Sequence, residues 1–469
     1  MKTCFPGLVF LLIAQVIFSQ VTFEKTYGSF DNDIGYCVQP TADGGFILCG
    51  TTTNYYTYRP QIWIIKTDAN GDTLWTVKSG NPQYFNYAYS VIETFEGDYV
   101  AAGSFGNDTG SICCLLKFDH YGNPVWARSY PYPGFVEEAR SVVQTPDSGF
   151  IFCGISENPA LWYMDAIIYR TDRNGNIIWK NFYGNYGFNS GLSIAPAVNG
   201  YVVSGGIDLF EEDEEDAWLF KVNSSGSQYW SKHYGVLNND NYANCVKHIP
   251  GDNGFVFCGT SYGGFYGYGD VYYGRTDSAG NSTWTKRVGG PGNLEGEGID
   301  VTADGGFILC GRRNDYNSSD YDVLLLKFNA SGNIQWEMTF GGQYADGGYA
   351  VASLSDGYVI CGYTQSLGAG GADVYLIRTD ENGVVTGTGS RPEKNFLVYP
   401  NPGDGHFRIS SPVDFYGGEI IDMTGKIVYN FHCPACKTLN IGLTDVASGI
   451  LFLKLMTNNG YVVKKIIKQ

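Results

Sequence analysis

The strongest constraint on the fold is an eight-residue phrase that recurs every 51 to 54 residues through most of the chain. It begins with Asp or Asn, has glycine at its fourth position and ends with tryptophan. A second marker, a glycine that closes a hydrophobic run, recurs with the same period. Its copies are Gly50, Gly103, Gly154, Gly205, Gly259, Gly311 and Gly362. A fixed period of this length predicts a repeat architecture of seven units.

Each repeat reads as four short strands joined by turns. In the sixth repeat the expected strands are residues 298–302, 307–311, 322–328 and 334–340. The second and third strands are almost entirely apolar, as expected for a sheet that is buried on both faces. Four strands in roughly 50 residues are typical of one blade of a β-propeller. The sequence therefore predicts an all-β fold, with a seven-bladed β-propeller over residues 20–389.

The seventh repeat lacks its last strand, and the N-terminus supplies a candidate for it. Gly387 stands where the tryptophan is due. Residues 23–28 align with residues 179–184, the last strand of the third repeat, yet no first, second or third strand precedes them. We predict that this N-terminal strand pairs into the seventh blade and closes the ring. Closure removes the exposed sheet edges that an open array would present.

The recurring phrase resembles the tryptophan-docking motif of quinoprotein-type propellers. Its glycine permits a left-handed turn, and its Asp or Asn caps that turn with a side-chain hydrogen bond. Its tryptophan is expected to pack between neighbouring blades, and Phe23 is expected to do so where the ring closes. Stacking of these rings on a ligand is the alternative role. The expected docking residues are Phe23, Trp75, Trp126, Trp179, Trp230, Trp284 and Trp336.

Composition narrows the functional classes. The chain has 63 glycines, 36 tyrosines and a net charge of −17. This acidity argues against a nucleic-acid groove, which needs concentrated positive charge. Residues 1–19, with Lys2 before an apolar stretch, are predicted to be a secretory signal peptide. That stretch is shorter than the roughly 20 residues of a transmembrane helix, so we expect an exported protein without such a helix.

A separate module follows a polar linker at residues 390–395. Residues 396–469 open with Leu-Val-Tyr-Pro-Asn-Pro and end in a basic strand. They resemble the type A C-terminal sorting domain of the Bacteroidota type IX secretion system. The resemblance implies a small immunoglobulin-like β-sandwich, recognition by the outer-membrane secretion machinery, and delivery through the periplasm to the cell surface or the medium. The sorting-motif positions are Tyr399, Pro400, Asn401, Pro402, Gly405, Lys464, Lys465 and Lys468.

Cysteine occupies one equivalent position of the second strand in five repeats, where it fits a small buried slot. These residues are Cys49, Cys153, Cys258, Cys310 and Cys361. Cys37 and Cys245 are expected to lie opposite Cys49 and Cys258, and there either free thiols or a cross-strand disulfide would fit an oxidising compartment. The pair Cys433 and Cys436 leaves the same two states open and lacks the further ligands of a zinc site.

A series of mostly polar residues precedes the first strand of the repeats. Its members are Asp33, Asn86, Glu137, Asn189, Asn241 and Asp346, with Gly296 between two glutamates in the sixth repeat. One interpretation is hydrogen bonding to the neighbouring backbone. The other is a Ca²⁺ site at the mouth of the central channel, formed by Asp33, Glu137 and Asp346, because carboxylate oxygens are ligands that this ion prefers.

The loops between the second and third strands vary among the repeats and carry many aromatic residues. Variable loops on a rigid scaffold are common recognition sites, and tyrosine gives a large contact area at low entropic cost. The candidate binding residues on this loop face are Tyr55, Tyr56, Tyr58, Trp162, Tyr163, Phe265, Tyr266 and Tyr268.

Three functional hypotheses follow. The leading one is a non-enzymatic propeller that binds a glycan or a protein through its loop face, since no nucleophile-elbow or zinc-protease motif occurs in the sequence. The second is a propeller enzyme, either a glycan-active hydrolase or a quinoprotein-like oxidoreductase. The third is a structural component of a surface layer.

Overall fold

The computed structural model describes residues 21–29, 31–53, 57–161, 163–185, 187–208, 215–236, 239–263, 268–290, 292–314, 318, 320–368, 371–386, 397–399, 403, 405–422, 426–457 and 460–468. The chain divides into two compact units, Met1–Thr386 and Gly387–Gln469. The described segments contain β-strands and turns. They include no helix with the length and apolar character needed to span a membrane.

The first unit contains seven antiparallel sheets in its described residues, and each sheet is a blade. Strand β1 (Phe23–Tyr27) comes first. The first blade is β2 (Asn32–Pro40), β3 (Phe46–Thr53), β4 (Pro60–Thr67) and β5 (Thr73–Ser79). The second is β6 (Asn86–Glu93), β7 (Tyr99–Asn107), β8 (Gly110–Phe118) and β9 (Pro124–Tyr130). The third is β10 (Val136–Gln144), β11 (Phe150–Asn158), β12 (Tyr163–Thr171) and β13 (Ile177–Tyr183).

The remaining blades repeat this plan. The fourth is β14 (Ser193–Ala197), β15 (Gly200–Asp208), β16 (Glu215–Val222) and β17 (Gln228–Tyr234). The fifth has a divided first strand, β18 (Asp240–Asn241) and β19 (Cys245–His248), then β20 (Phe255–Tyr262), β21 (Gly269–Thr276) and β22 (Ser282–Val288). The sixth is β23 (Leu294–Val301), β24 (Phe307–Arg313), β25 (Asp322–Phe328) and β26 (Ile334–Phe340). The seventh is β27 (Asp346–Leu354), β28 (Gly357–Thr364), β29 (Asp373–Thr379) and β1.

The seven blades form a closed ring. An apolar core fills each junction between consecutive blades, including the junction between the seventh and the first. The first strands of neighbouring blades also contact one another all the way round. These strands therefore form the inner wall, and the space that they enclose is the central channel. The predicted seven-bladed propeller is confirmed.

The N-terminal strand closes the ring. β1 pairs antiparallel with β29, from Phe23 opposite Arg378 to Tyr27 opposite Val374. The backbone N–H of Thr386 donates to the Thr22 hydroxyl at 2.7 Å. The seventh blade thus takes its outer strand from the start of the chain, as the repeat pattern predicts.

An aromatic ring meets a glycine at every junction. Phe23 lies against Gly71 of the first blade, and a Cβ added to that glycine would come within 2.7 Å of the ring. The other six pairs are Trp75 with Gly122, Trp126 with Gly175, Trp179 with Gly226, Trp230 with Gly280, Trp284 with Gly332, and Trp336 with Gly383. Each glycine also has a positive φ. The spacing within the phrase, which is the same in each repeat, therefore positions one blade's turn on its neighbour's outer strand.

The basic residue that recurs on the third strand joins two turns of its own blade. Lys66 is almost fully buried, and its Nζ lies 2.8 Å from Asp43 in the turn between the first two strands. Lys66 also donates to the Thr67 carbonyl at 2.8 Å. Because of this partner, the pKa of Asp43 is lowered to about 2. Equivalent pairs are Lys117 with Asp98, Arg170 with Asp147, Arg275 with Asp252, Lys327 with Asp304, and Arg378 with Asp356.

The second unit is a small β domain. Its described strands are β30 (Leu397–Tyr399), β31 (His406–Asp422), β32 (Ile427–Gly442), β33 (Gly449–Thr457) and β34 (Gly460–Lys468). The sequence predicts a sandwich, and the described strands are hydrogen-bonded into one sheet around β31. This strand pairs with β30 near its start and with β33 near its end. Phe407, Ile420 and Leu453 belong to a single apolar core.

All eleven cysteines of the described residues carry free thiols in this structure. Cys37 lies directly opposite Cys49, and Cys245 directly opposite Cys258, as the sequence predicts. The second-strand cysteines are buried in the cores between blades. This placement fits the small-slot interpretation of the series.

Candidate functional site

The inner wall of the propeller shows the same departure from regular strand pairing in several blades. In five blades the pairing of the first strand with the second shifts by one residue, which leaves a β-bulge. The bulge residues are Tyr36, Tyr89, Arg140, Glu297 and Tyr349. Leu192 and Asn244 hold the equivalent positions in the fourth and fifth blades. A bulge redirects a side chain out of the regular alternation, and all seven side chains are half-buried. We call these seven residues the bulge ring.

Tyrosines form one side of the bulge ring. The ring centroid of Tyr36 lies 5.3 Å from that of Tyr89 and 5.2 Å from that of Tyr349. Tyr87 stacks on Tyr89 at 5.7 Å, and Tyr363 lies 5.9 Å from Tyr349. These contacts run from the seventh blade through the first to the second. They therefore make a continuous aromatic arc along the channel wall.

Charged and amide groups form the other side. The Arg140 guanidinium lies 4.1 Å from the centroid of Tyr89 and pairs with Glu138 at 2.5 Å. Between the neighbouring fifth and sixth blades, Asn244 Nδ2 donates to Glu297 Oε2 at 3.4 Å. The site thus combines aromatic faces with hydrogen-bonding groups of both signs, which is the composition of many small-ligand sites.

Electrostatics distinguish Glu297 from the other acids. Its pKa is raised from 4.5 to about 7, mainly by burial; Arg312 opposes this increase and nearby Glu295 adds to it. Arg312 itself is engaged by Glu295, with its Nε 2.6 Å from the Glu295 carboxylate. Glu297 therefore holds a proton over part of the neutral range, and in that state it can donate as well as accept a hydrogen bond.

The structure places the expected calcium ligands elsewhere. Asp346 Oδ2 accepts from the Gly342 N–H at 2.9 Å and from the Ser366 hydroxyl at 2.7 Å. Asp33 accepts from the Ser29 N–H at 3.1 Å. Both carboxylates thus hold the loop that enters their own blade, as in the backbone-bonding interpretation of the sequence. In the sixth blade the equivalent residue is Leu294, because Gly296 pairs with the glycine of the second strand.

Glu137 is also hydrogen-bonded within its own blade. Its carboxylate accepts from the Ser156 hydroxyl at 2.8 Å, the Tyr169 hydroxyl at 2.7 Å and the Lys180 ammonium at 2.7 Å. Across the part of the chain that the structure describes, no three or more His, Cys, Asp or Glu side chains are grouped to hold a metal ion. The structure therefore does not bring Asp33, Glu137 and Asp346 together as a calcium ring.

The loop-face candidates are only partly described. Tyr58 is 65% exposed, while Tyr163 and Tyr268 are half-buried. They belong to the first, third and fifth blades, which are not neighbours in the ring. Tyr55, Tyr56, Trp162, Phe265 and Tyr266 lie outside the described residues.

The sorting-motif residues lie in the second unit. Gly405 has a φ of +104°, and a Cβ there would come within 3.0 Å of Lys468 Cε. Lys468 is buried and donates to the Val446 carbonyl, so this terminal lysine is part of the fold. Tyr399 lies on β30, and Lys464 and Lys465 lie on β34. Pro400, Asn401 and Pro402 lie outside the described residues.

Residues 397–469 match the family described as the secretion system C-terminal sorting domain. The match confirms the sequence-based identification of the C-terminal module. The sorting domain directs the chain through type IX secretion to the cell surface or the medium. Its presence implies contact between this module and the secretion machinery.

Several solved structures are similar to this chain at low sequence identity. The β-propeller domain of the Trilobed protease from Pyrococcus furiosus is 10% identical, with a TM-score of 0.43 over 77% of this chain and 100% of that chain. The BP39L lectin from Burkholderia pseudomallei is 8% identical, with a TM-score of 0.48 over 77% and 98%. PorZ, a type IX secretion component of Porphyromonas gingivalis, is 11% identical, with a TM-score of 0.26 over 94% and 74%. The search of curated proteins found no match.

The bulge ring is not among the features predicted from the sequence, although the sequence contains a pattern that marks it. A small residue precedes the ring position in every repeat: Gly35, Ala88, Ala139, Gly191, Ala243, Gly296 and Gly348. Gly35 shows the reason, since a Cβ there would lie 2.4 Å from the Cys361 sulfur of the neighbouring blade. Seven small residues in register could have indicated an inner strand that approaches its neighbour closely.

Proposed function

We propose that this exported propeller is a non-enzymatic binding protein whose ligand is a saccharide held at the bulge ring. The observation that carries the proposal is the aromatic arc of Tyr36, Tyr89 and Tyr349, which is flanked by Arg140 of the third blade and Glu297 of the sixth. Tyrosine rings offer flat apolar faces for a sugar ring, and the charged and amide groups offer hydrogen bonds to its hydroxyls.

The chemistry of the ring supports a saccharide better than an apolar ligand. Each tyrosine of the arc carries a hydroxyl, and burial raises the pKa of Tyr36, so the phenol stays a neutral donor. Glu297, as a protonated acid, adds another donor. A site rich in donors and acceptors rejects ligands that leave those groups unpaired.

A glycan array probed with the full chain tests this proposal. We expect wild type to bind at least one saccharide and Tyr36→Ala to weaken that binding about fivefold, because an aromatic contact contributes on the order of 1 kcal/mol. Tyr121→Ala is the control, since Tyr121 is 69% exposed in an outer turn of the second blade. Undiminished saccharide binding by Tyr36→Ala would contradict the proposed site. A wild type that binds no saccharide would contradict the proposal and favour a structural surface role.

A glycan-active hydrolase is the second candidate, and the raised pKa of Glu297 is the observation that favours it. A carboxyl group with a pKa near 7 suits a general acid, and hydrolases of this kind need a second carboxylate nearby. Glu138 and Glu295 border the same ring. Turnover of a bound saccharide by wild type, lost in Glu297→Gln with binding retained, would favour this candidate over binding alone.

A further inference from the structure

One cation on the channel wall, Lys247, has no hydrogen-bond or ion-pair partner in the part of the chain that the structure describes. Lys247 lies on β19, three residues beyond the bulge-ring position of the fifth blade. Its charge influences Cys245 and Cys258 of its own blade and also Cys37 of the first blade. The first and fifth blades are separated by two others on the shorter path round the ring, so they lie nearly opposite each other. β19 belongs to the inner wall of the channel, and the Lys247 side chain on it is half-buried.

Three other lysines that are shielded from water in this protein contact carboxylates. Among the described residues, none accepts a hydrogen bond from Lys247 or forms an ion pair with it. Lys66, Lys180 and Lys327 are similarly enclosed, and each contacts a carboxylate. Charged groups withdrawn from water are normally paired because isolated charges are costly. Lys247 thus presents an unused cation to whatever enters the channel.

The nearest acid does not neutralise this cation directly. Asp300 accepts from the Val301 N–H at 3.0 Å and from the Ser353 N–H at 2.8 Å, so the backbone holds both of its oxygens. Asp300 still raises the pKa of Lys247, which keeps the ammonium charged at neutral pH. At the bulge ring, the buried Nε of Arg140 also lacks an acceptor among the described residues. Arg140 is paired with Glu138, so Lys247 is the cation considered further.

We propose that the saccharide bound at the bulge ring carries an acidic group, a carboxylate or a sulfate, and that Lys247 receives this group inside the channel. This inference rests on the proposed saccharide function. The tyrosine arc would hold the sugar ring while its acidic substituent points down the channel. Because the whole chain has a net charge of −17, a polymer with many negative charges is repelled. A terminal acidic residue on an otherwise neutral glycan fits better.

Paired glycans test this inference with the full chain. Each acidic oligosaccharide is presented beside its neutral counterpart, carboxyl-reduced for uronic acids and desulfated for sulfate esters. We expect wild type to prefer the acidic member of at least one pair by tenfold or more. Lys247→Met should remove that preference without changing binding of the neutral member, and Lys247→Arg should retain it. The carboxylated and sulfated pairs identify which acidic group is recognised.

Lys286→Met is the matched control, because Lys286 lies on the outer strand of the same blade and contacts the next blade's turn. It should leave the acidic preference unchanged. Equal binding of acidic and neutral members by wild type would overturn this inference while the saccharide function stands. A preference that persists in Lys247→Met would overturn it too. Absence of binding to every pair would contradict both proposals.

Discussion

Glu297 combines a β-bulge position with an unusual electrostatic environment. It occupies a β-bulge, so the sheet does not position it in the regular alternation of inward and outward side chains. Its carboxyl group is half-buried, and the adjacent Arg312 is held by Glu295 rather than by Glu297. The titratable groups around it are Arg312, Glu295, Tyr262, Tyr349, Cys258 and Cys310. Burial therefore outweighs pairing, and the protonated form is favoured.

This environment predicts a pH dependence of stability. The folded pKa of about 7 exceeds the ordinary value of 4.5, so the folded state keeps a proton that the unfolded chain releases. Stability contributed by this group is thus lost as the pH rises from about 4.5 to about 7. We expect a loss of about 1–2 kcal/mol, reduced by the contact of the side chain with water. Urea unfolding of wild type and Glu297→Gln at pH 5 and pH 7.5 measures it.

The variant should lose less free energy of unfolding between the two pH values than wild type does. Glu381→Gln, in an exposed turn of the seventh blade, is the control and should behave as wild type. The same pH dependence in wild type and in Glu297→Gln would show that another group carries it.

At this scale the sequence predicts packing better than it predicts a site. The docking aromatics repeat at a fixed spacing, and the structure places each of them against a glycine of the next blade. The bulge ring does not repeat in identity: Tyr36, Arg140 and Glu297 occupy the same position in different blades. A ligand site on a symmetric scaffold breaks the symmetry, so the pattern that reveals the fold leaves the site residues unmarked.

Among the elements, the short strand β1 completes the seventh blade and closes the ring. Its five residues supply the outer strand of the seventh blade. Phe23 joins the core between the seventh and first blades, and the Tyr27 hydroxyl donates to the Gly71 carbonyl at 2.6 Å. β1 therefore links the seventh blade to the first, while the chain between them passes through every other blade.

Deletion of Val21–Gly28 should weaken the whole propeller. Truncation of a buried aromatic residue alone costs about 3–5 kcal/mol, and the deletion also exposes the edge of β29. We expect the midpoint of thermal unfolding to fall by at least about 5 °C, as measured by circular dichroism. Phe23→Trp restores the docking residue of the other blades and should stay near the wild-type value. An unchanged midpoint after the deletion would contradict closure by this strand.

The sequence predicts the elements of the propeller because each blade repeats one hydrophobic pattern. It does not reveal the divided first strand of the fifth blade, where residues 242–244 separate β18 from β19 and both strands pair with β20. Nor does it reveal that the strands of the C-terminal unit join through the 17-residue β31. Both features depend on pairing with other strands. The local alternation of apolar and polar residues does not indicate such pairing.

At the scale of the whole molecule, the two units have separate cores. The core of the C-terminal unit contains residues from Val398 to Ile466, whereas the seven propeller cores contain residues before Thr386. The described core residues of each unit belong to that unit alone. The division matches separate tasks, since the sorting-domain match is confined to residues 397–469.

Removal of Gly387–Gln469 should therefore abolish delivery and spare the fold. We expect the truncated chain, expressed in a host with a type IX secretion system, to accumulate in the periplasm and to be missing from the cell surface and the medium. Its thermal midpoint should match that of the propeller in the full chain, because no apolar core of the first unit loses a residue. Cys436→Ser is the control for delivery, since the sorting resemblance does not depend on that half-buried thiol. Surface accumulation of the truncated chain would show that the signal for export lies elsewhere, and a lowered midpoint would show that the propeller draws stability from the second unit.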